Sequence, residues 1–204
     1  MKIQPTKRTS IENVVNAFKV LTQFELDHLL KLAKIQELNT GSAFVHLNKI
    51  SKNSAFVLNG ILKLVWLDQD GTEKTTEFFE PGDFVANCES YNKMEPSKYG
   101  TVALMDTELL MFKNDDLSRL AQSNINYMKL GTILTQKSVY KKEEHTRIIS
   151  LKKPIDRYRY IVENKPELLQ KISLTELSKY IYLTRETVSR CRLGYLNSVR
   201  LKCD

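Results

Sequence analysis

The stretch from Ile172 to Leu196 is the sequence feature that most restricts the fold of this 204-residue chain. Ser173 and Thr184 each precede a helical pattern, and a hydroxyl there can accept a hydrogen bond from the backbone of the first turn. Glu176 follows Ser173 at the spacing of a capping box. The sequence therefore predicts two short helices joined by a tight turn.

The second predicted helix has two different faces. Val188, Cys191 and Tyr195 recur at helical spacing and are expected to pack inward. The other face is polar and charged, and it carries Arg185, Glu186, Ser189, Arg190 and Arg192. A guanidinium can donate two hydrogen bonds to guanine in a DNA major groove, and a carboxylate can accept one from cytosine. This pattern predicts the recognition helix of a helix-turn-helix; the alternative is a surface pair of helices whose charges are only solvated.

The net charge of +7 is concentrated in the same part of the chain. Residues 151–204 contain twelve Lys and Arg against six Asp and Glu, a balance of +6, whereas the other residues have nineteen against eighteen, a balance of +1. Such an excess favours a polyanionic partner, since neutralising phosphates releases counterions. We expect this partner to be double-stranded DNA rather than an anionic membrane, because no long basic amphipathic helix is evident.

An all-β segment is predicted from about Leu38 to Phe112, where short apolar runs are broken by Gly, Asp and Asn. Gly60, Gly71 and Gly82 recur every eleven residues, a spacing that fits successive strands of a barrel or roll. Asp-Gly at Gly71 and Pro-Gly-Asp at Gly82 are turn sequences.

Helical patterns are predicted on both sides of this segment. Residues 1–10 are polar and expected to be loose, and Ile11–Ile35 has the spacing of packing helices, with Thr22 as an N-cap. Asn114 is predicted to cap the helical region after the strands. A long helix is then expected over Ile125–Ile149.

Gly131 is the only break expected in that long helix, and Lys152, Lys153 and Pro154 are expected to end it and form a hinge. Two shorter helices are predicted before the helix-turn-helix, at Ile155–Glu163 and Glu167–Lys171.

The cysteines and histidines indicate neither a disulfide framework nor a metal site. Cys88, Cys191 and Cys203 are odd in number and widely spaced, without a C-x-x-C pair. The three histidines, His28, His46 and His145, lack metal-ligand spacing. No nucleophile, base and orienting group occur together, so we expect no enzyme activity. The absence of a signal peptide and of a run of about 20 apolar residues indicates a cytoplasmic protein without a membrane partner.

The run Thr184 to Arg190, Thr-Arg-Glu-Thr-Val-Ser-Arg, resembles the recognition-helix signature of the CRP/FNR family of bacterial transcription regulators. The glycine pattern, ending in Pro-Gly-Asp-Phe, is similar to the cyclic-nucleotide-binding β-roll of that family. The resemblance implies an α+β fold: residues 1–150 would form a β-roll sensor with a long dimerisation helix, and residues 151–204 a winged-helix-like helix-turn-helix domain. With eight residues after Leu196, we expect a reduced wing.

The resemblance also assigns roles to single residues. Arg185, Glu186 and Arg190 would contact bases, and Ser173 and Thr175 would lie near a phosphate. The complete candidate DNA-binding set is Arg185, Glu186, Ser189, Arg190, Ser173, Thr175, Thr184 and Lys179. The long helix would form a homodimer through Met128, Ile133, Leu134, Val139 and their neighbours. RNA polymerase is a further partner that the family implies.

The chain departs from the family pattern at three places. The inter-helix turn has Tyr182 where the family has Gly, and a left-handed backbone there would strain a tyrosine. In the roll, Ala86-Asn87 replaces the Gly-Glu that binds the ribose, and Ser97-Lys98 replaces the Arg and hydroxyl that hold the cyclic phosphate. Because a bidentate guanidinium is missing, we predict no tight binding of cyclic AMP. We predict no cofactor, and the identity of a small-molecule effector stays open.

Cys88 is expected to be a small buried hydrophobe rather than a redox thiol, and the N-terminal cysteines of iron–sulfur members are missing. The sequence thus predicts a DNA-binding transcription regulator that is not controlled by cyclic AMP. Any ligand or partner that rotated the C-terminal domains about the hinge would change its affinity for DNA. The alternative is a ligand- or protein-binding β-roll module with a degenerate helix-turn-helix, which Tyr182 and the short wing would permit.

Overall fold

The computed structural model describes Ile11 and residues 16–200, with the backbone alone at residues 16 and 198–200. The predicted loose segment 1–10, and Cys203, lie outside the described residues. The strands are β1 Lys34–Leu38, β2 Ala43–Val45, β3 Asn53–Asn59, β4 Leu62–Leu67, β5 Glu73–Phe79, β6 Phe84–Val85, β7 Gly100–Ala103 and β8 Thr107–Lys113. The helices are a 3₁₀ helix Asn16–Val20, α1 Gln23–Leu32, α2 Cys88–Lys93, α3 Asn114–Ser123, α4 Ile125–Ser150, α5 Pro154–Asn164, α6 Pro166–Lys171, α7 Leu174–Tyr180 and α8 Arg185–Arg200.

The eight strands form two four-stranded sheets, with the strand orders β1-β8-β3-β6 and β2-β7-β4-β5. This arrangement confirms the α+β fold and the predicted strand-rich segment, but the segment is not all-β, because it includes the helix α2. The first strand begins earlier than predicted, because α1 ends at Leu32 and Ala33 is already extended. Ile35 pairs with Leu110 of β8, so the expectation of a helix through Ile35 is wrong.

β3 and β8 are buried on both faces, because each lies between two apolar clusters. Phe56 and Leu110 belong to a cluster that includes residues of α1, α3 and α4. Val57 and Leu109 belong to a second cluster, which is formed by residues of both sheets. The ring of Phe56 also lies within 5.0 Å of Phe18, centroid to centroid. Burial on both faces explains why these strands are almost continuously apolar in the sequence.

The predicted glycine turns are confirmed. Gly71 has φ +76° in the β4–β5 turn, where the Asp68 carboxylate accepts hydrogen bonds from the backbone of Asp70 and Thr72 at 3.1 and 2.8 Å. Gly60 has φ +90°, and a Cβ there would lie 2.7 Å from the Asp106 carbonyl oxygen. The backbone at these positions therefore favours glycine.

The predicted helix caps Thr22 and Asn114 have different outcomes. Thr22 caps α1 in a complete capping box, in which the Thr22 N–H donates to Glu25 Oε2 at 2.7 Å. Asn114 is the first residue of α3 rather than its cap. Its buried amide accepts from Ser54 Oγ at 2.6 Å and donates to the Ser51 carbonyl at 3.2 Å, so the cap prediction is wrong.

α4 is a continuous 26-residue helix, which confirms the predicted long helix. Gly131 does not break it; the residue is exposed, and a Cβ there would meet nothing within 4 Å. Met128, Ile133 and Val139 are exposed, whereas Leu134 packs against the core that contains Phe56. α4 ends before a short link, as predicted, and α5 begins at Pro154, one residue before the predicted start.

The chain divides into two compact units. The first contains the described residues of Met1–Val65 and Phe78–Val139, and the second contains Trp66–Glu77 and the described residues of Tyr140–Asp204. The second unit thus includes the tip of the β4–β5 hairpin and the last part of α4. The functional division into 1–150 and 151–204 stays a prediction.

Candidate nucleic-acid interface

The second unit has its own apolar interior, to which the short helices predicted from the sequence contribute. α8 packs against both α5 and α7. Buried side chains come from α5, α6, α7, α8 and the turn between the last two: Tyr158, Ile161, Leu168, Leu177, Ile181, Val188 and Cys191. The orientation of α8 is therefore fixed by packing along its inner face.

α7 and α8 form the predicted pair of helices, and both predicted caps are present. Ser173 Oγ accepts a hydrogen bond from the Glu176 N–H at 3.2 Å. Thr184 Oγ1 accepts one from the Thr187 N–H, also at 3.2 Å. The caps satisfy backbone donors that a helix start would leave without partners, so both helix starts are well defined.

The turn between the helices has the left-handed geometry of the family glycine, although a tyrosine occupies the position. Tyr182 has φ +54°, and the Leu183 N–H donates to the Ser178 carbonyl at 3.0 Å, the closing hydrogen bond of a Schellman motif. This conformation costs a residue with a side chain about 1–2 kcal/mol. The sequence expectation of a strained tyrosine is confirmed.

Three side chains contact Tyr182 and offset this strain. Its ring lies 5.4 Å from the His145 ring in an edge-to-face arrangement, and Lys74 Nζ lies 5.7 Å from the ring centroid. The Trp66 indole N–H donates to the Tyr182 hydroxyl. Burial raises the pKa of Tyr182, and the hydrogen bond from Trp66 lowers it by less. The turn is thus held by aromatic, cation–π and hydrogen-bond contacts.

His145 and Arg157 support the same turn, and sequence reasoning assigned neither of them this role. His145 is buried, and its Nε2 lies 2.8 Å from the Tyr180 carbonyl oxygen, so the neutral ring donates through Nε2. Burial lowers the pKa of His145. Arg157 donates to the carbonyls of Leu151 and Ile181 at 2.8 and 3.1 Å. Their partners are backbone carbonyls, which leave no signal in a sequence.

The polar face of α8 is exposed, as predicted, and it presents Arg185, Glu186, Ser189, Arg190 and Arg192. Val188 and Cys191 are buried on the opposite face, and Tyr195 is half-buried. Ser173, Thr175 and Thr184 are also exposed, near the starts of the two helices. Seven of the eight candidate DNA-binding residues are therefore accessible, but their roles stay predictions.

Lys179 differs from the other candidates because its ammonium is in ion pairs. Its Nζ lies 2.8 Å from Glu73 Oε1 and 3.5 Å from Glu176 Oε1. Burial alone would lower the pKa of Lys179, but the hydrogen bond to Glu73 and the two carboxylate charges raise it above its usual value. The ammonium is therefore charged and already contacts two carboxylates.

α8 continues as a helix through Arg200, so residues 197–200 form no strand of the expected reduced wing. Gly and Pro favour the end of a helix, and residues 197–200 contain neither. Residues 201–204 lie outside the described part of the chain.

The positions that would hold a cyclic nucleotide make hydrogen bonds within the roll. Asn87 accepts from the Ser90 N–H at 3.0 Å, which caps α2, and its amide donates to Ser97 Oγ at 2.5 Å. Ser97 is buried and also donates to the Tyr99 carbonyl. Lys98 is mostly exposed, with its Nζ 3.7 Å from Glu89 Oε1.

Cys88, the first residue of the short helix α2, is exposed, so the expectation that it is buried is wrong. Within the described residues, no group of three or more His, Cys, Asp and Glu side chains could hold a metal ion. None of the helices in the described part combines the length and the apolar character needed to cross a membrane.

The described residues combine two parts: a cyclic-nucleotide-binding-like roll and a helix-turn-helix. Residues 35–124 match the family model of the cyclic nucleotide-binding domain. The match confirms the resemblance that the glycine pattern indicated. Among curated proteins, none matches the chain in sequence.

Particular solved structures share this fold over most of their length. FixK2 from Bradyrhizobium japonicum is 20% identical, with 81% of this chain and 85% of that chain covered and a TM-score of 0.69. The c-di-GMP-responsive global regulator CLP of Xanthomonas campestris is 16% identical, with coverage of 88% and 94% and a TM-score of 0.69. A transcriptional regulator of the Crp/Fnr family from Eubacterium rectale is 16% identical, with 92% of this chain and 88% of that chain covered and a TM-score of 0.70.

The strain at Tyr182 can be measured with two substitutions that remove the same ring. Tyr182→Ala keeps the left-handed cost, whereas Tyr182→Gly removes it. We expect both variants to be less stable than the wild type, and the glycine variant to be more stable than the alanine variant by about 1 kcal/mol. Urea unfolding measures the difference. Equal stability of the two variants would contradict the left-handed turn.

Proposed function

We propose that the protein is a sequence-specific, DNA-binding transcription regulator of CRP/FNR type, with a regulatory rather than a catalytic role. The observation that carries this proposal is the exposed face of α8. Arg185, Glu186 and Arg190 are accessible there, while Val188 and Cys191 hold the opposite face in the interior. A capped helix with fixed orientation holds the backbone of these residues in place before any partner binds.

The chemistry of this face suits base pairs. Arg185 and Glu186 lie in the first turn of α8, the part of a recognition helix that reaches base edges. Arg185 can donate two hydrogen bonds to guanine, and Glu186 can accept from cytosine. Ser173 and Thr175 would donate to the phosphates beside the groove. The +6 balance of residues 151–204 would supply sequence-independent attraction. A DNA partner implies a cytoplasmic protein, and RNA polymerase is a further proposed partner.

Replacement of Arg185 by alanine should weaken binding to a duplex selected from a random pool by about 1–3 kcal/mol and relax the preference at one base pair. The reason is the loss of a bidentate contact to a base. Electrophoretic shift titrations measure both effects. Arg119→Ala is the matched control, because it removes an exposed arginine from α3. Unchanged affinity and sequence preference in Arg185→Ala would contradict the proposed base contact.

The degenerate helix-turn-helix remains the alternative, and it is less well supported. A decayed motif would be free to lose its turn geometry. Tyr182 instead keeps φ at +54° against a steric cost, and both helix caps are made.

The proposed active form is a homodimer through α4. Ile125, Met128, Ile133 and Val139 are exposed apolar side chains on this helix. A dimer would carry two recognition helices, and these would fit successive major grooves about 34 Å apart on a pseudo-palindromic site. A signal that changes their separation at the link of residues 151–153 would change affinity without contacting DNA.

Met128→Glu should lower the dimer fraction, because it introduces a charge into an apolar contact. Sedimentation of the variant and the wild type measures this fraction. Gln122→Glu is the control, since it introduces the same charge at an exposed position of α3. A wild-type monomer at concentrations that bind DNA would contradict the dimer.

We also propose that cyclic AMP is not the effector. Asn87 and Ser97 bond to each other where a nucleotide would need ribose and phosphate ligands, and Lys98 is exposed beside Glu89. A buried phosphate would therefore lack a fixed bidentate partner. Calorimetric titration with cyclic AMP should give no saturable heat, and a micromolar dissociation constant would refute this expectation.

A further inference from the structure

The tip of the β4–β5 hairpin, Trp66–Glu77, belongs to the same compact unit as the helix-turn-helix. It contacts the helix-turn-helix in two ways. Glu73 forms the ion pair with Lys179 of α7, and Trp66 and Lys74 contact Tyr182 in the inter-helix turn. We refer to Trp66–Glu77 as the hairpin tip.

The first contact concerns a candidate phosphate ligand. The side chains of Lys179 and Glu73 are 31% and 35% exposed, so solvent reaches the pair. Glu176 is the second carboxylate at this ammonium, at 3.5 Å. Two carboxylates thus contact this ammonium, and a phosphate approaching Lys179 would have to compete with them. Lys74 of the tip is itself paired with Asp68, which lies 3.4 Å from its Nζ.

The second contact holds the tip at the turn. Trp66 donates to the Tyr182 hydroxyl, and Lys74 lies over the Tyr182 ring. A glycine at this position would offer neither group. The departure from the family pattern at Tyr182 therefore supplies the surface that the hairpin tip binds.

We propose that the hairpin tip is an autoinhibitory element in which Glu73 competes with a DNA phosphate for Lys179. This proposal rests on the proposed function. In the free protein the ammonium is bound to Glu73, and full contact with DNA requires that this ion pair open. By linkage, DNA binding favours release of the tip, and any event that releases the tip strengthens DNA binding by the same factor.

Glu73→Gln tests the competition, because it removes the charge and keeps the side-chain size. We expect the variant to bind a duplex of random sequence about two- to five-fold more tightly, the range of an exposed ion pair. If Lys179 gains one phosphate, the plot of log affinity against log salt should steepen by about 0.9. Glu89→Gln is the matched control, since Glu89 is an exposed acid paired with Lys93 at 2.9 Å in the other unit. Fluorescence anisotropy over a salt series gives both quantities.

The double variant Glu73→Gln with Lys179→Gln should lose the gain, because the competed ammonium is gone. Hydrogen exchange at residues 68–72 of the tip should also become faster when the duplex is added. Unchanged or weaker binding by Glu73→Gln overturns the proposal, as does an equal gain in Glu89→Gln. If the wild type binds no duplex at any salt concentration, the proposed function fails, and the autoinhibition fails with it.

Discussion

The left-handed backbone at Tyr182 is the constraint on which the candidate DNA-binding surface depends. This residue closes the turn between α7 and α8, and packing along the inner face of α8 then fixes the face that α8 turns to solvent. Glycine would adopt the conformation freely, so the tyrosine must be stabilised by its surroundings. His145, Lys74 and Trp66 contact its side chain. The geometry of the motif is thus coupled to residues distant in the sequence.

Much of the fold could be predicted because its signals are local. Thr22, Ser173 and Thr184 cap helices where hydroxyl residues precede helical patterns, and Gly71 lies in the turn that Asp-Gly predicts. Asn114 shows the limit of predictions from local sequence patterns. Its amide is used by Ser51 and Ser54, which are about sixty residues away in the sequence, and no local pattern contains that information.

The candidate site also combines features that local sequence patterns predict with features that depend on distant residues. The two faces of α8 follow from its periodicity, and Val188 and Cys191 are buried as expected. The ion pairs of Lys179 could not be predicted, because Glu73 comes from a strand 106 positions earlier. Burial of Cys88 was also wrongly expected, since residue type alone does not distinguish a core from the first turn of a surface helix. Side chains that depend on tertiary neighbours are those that the sequence leaves undetermined.

The two tasks of Asn87 have an evolutionary consequence. Its side chain both caps α2 and bonds to Ser97, so an exchange toward a nucleotide ligand would remove a helix cap and leave a buried hydroxyl with one partner fewer. A substitution at Asn87 would therefore be tolerated only together with changes that supply a new cap for α2 and a new partner for Ser97.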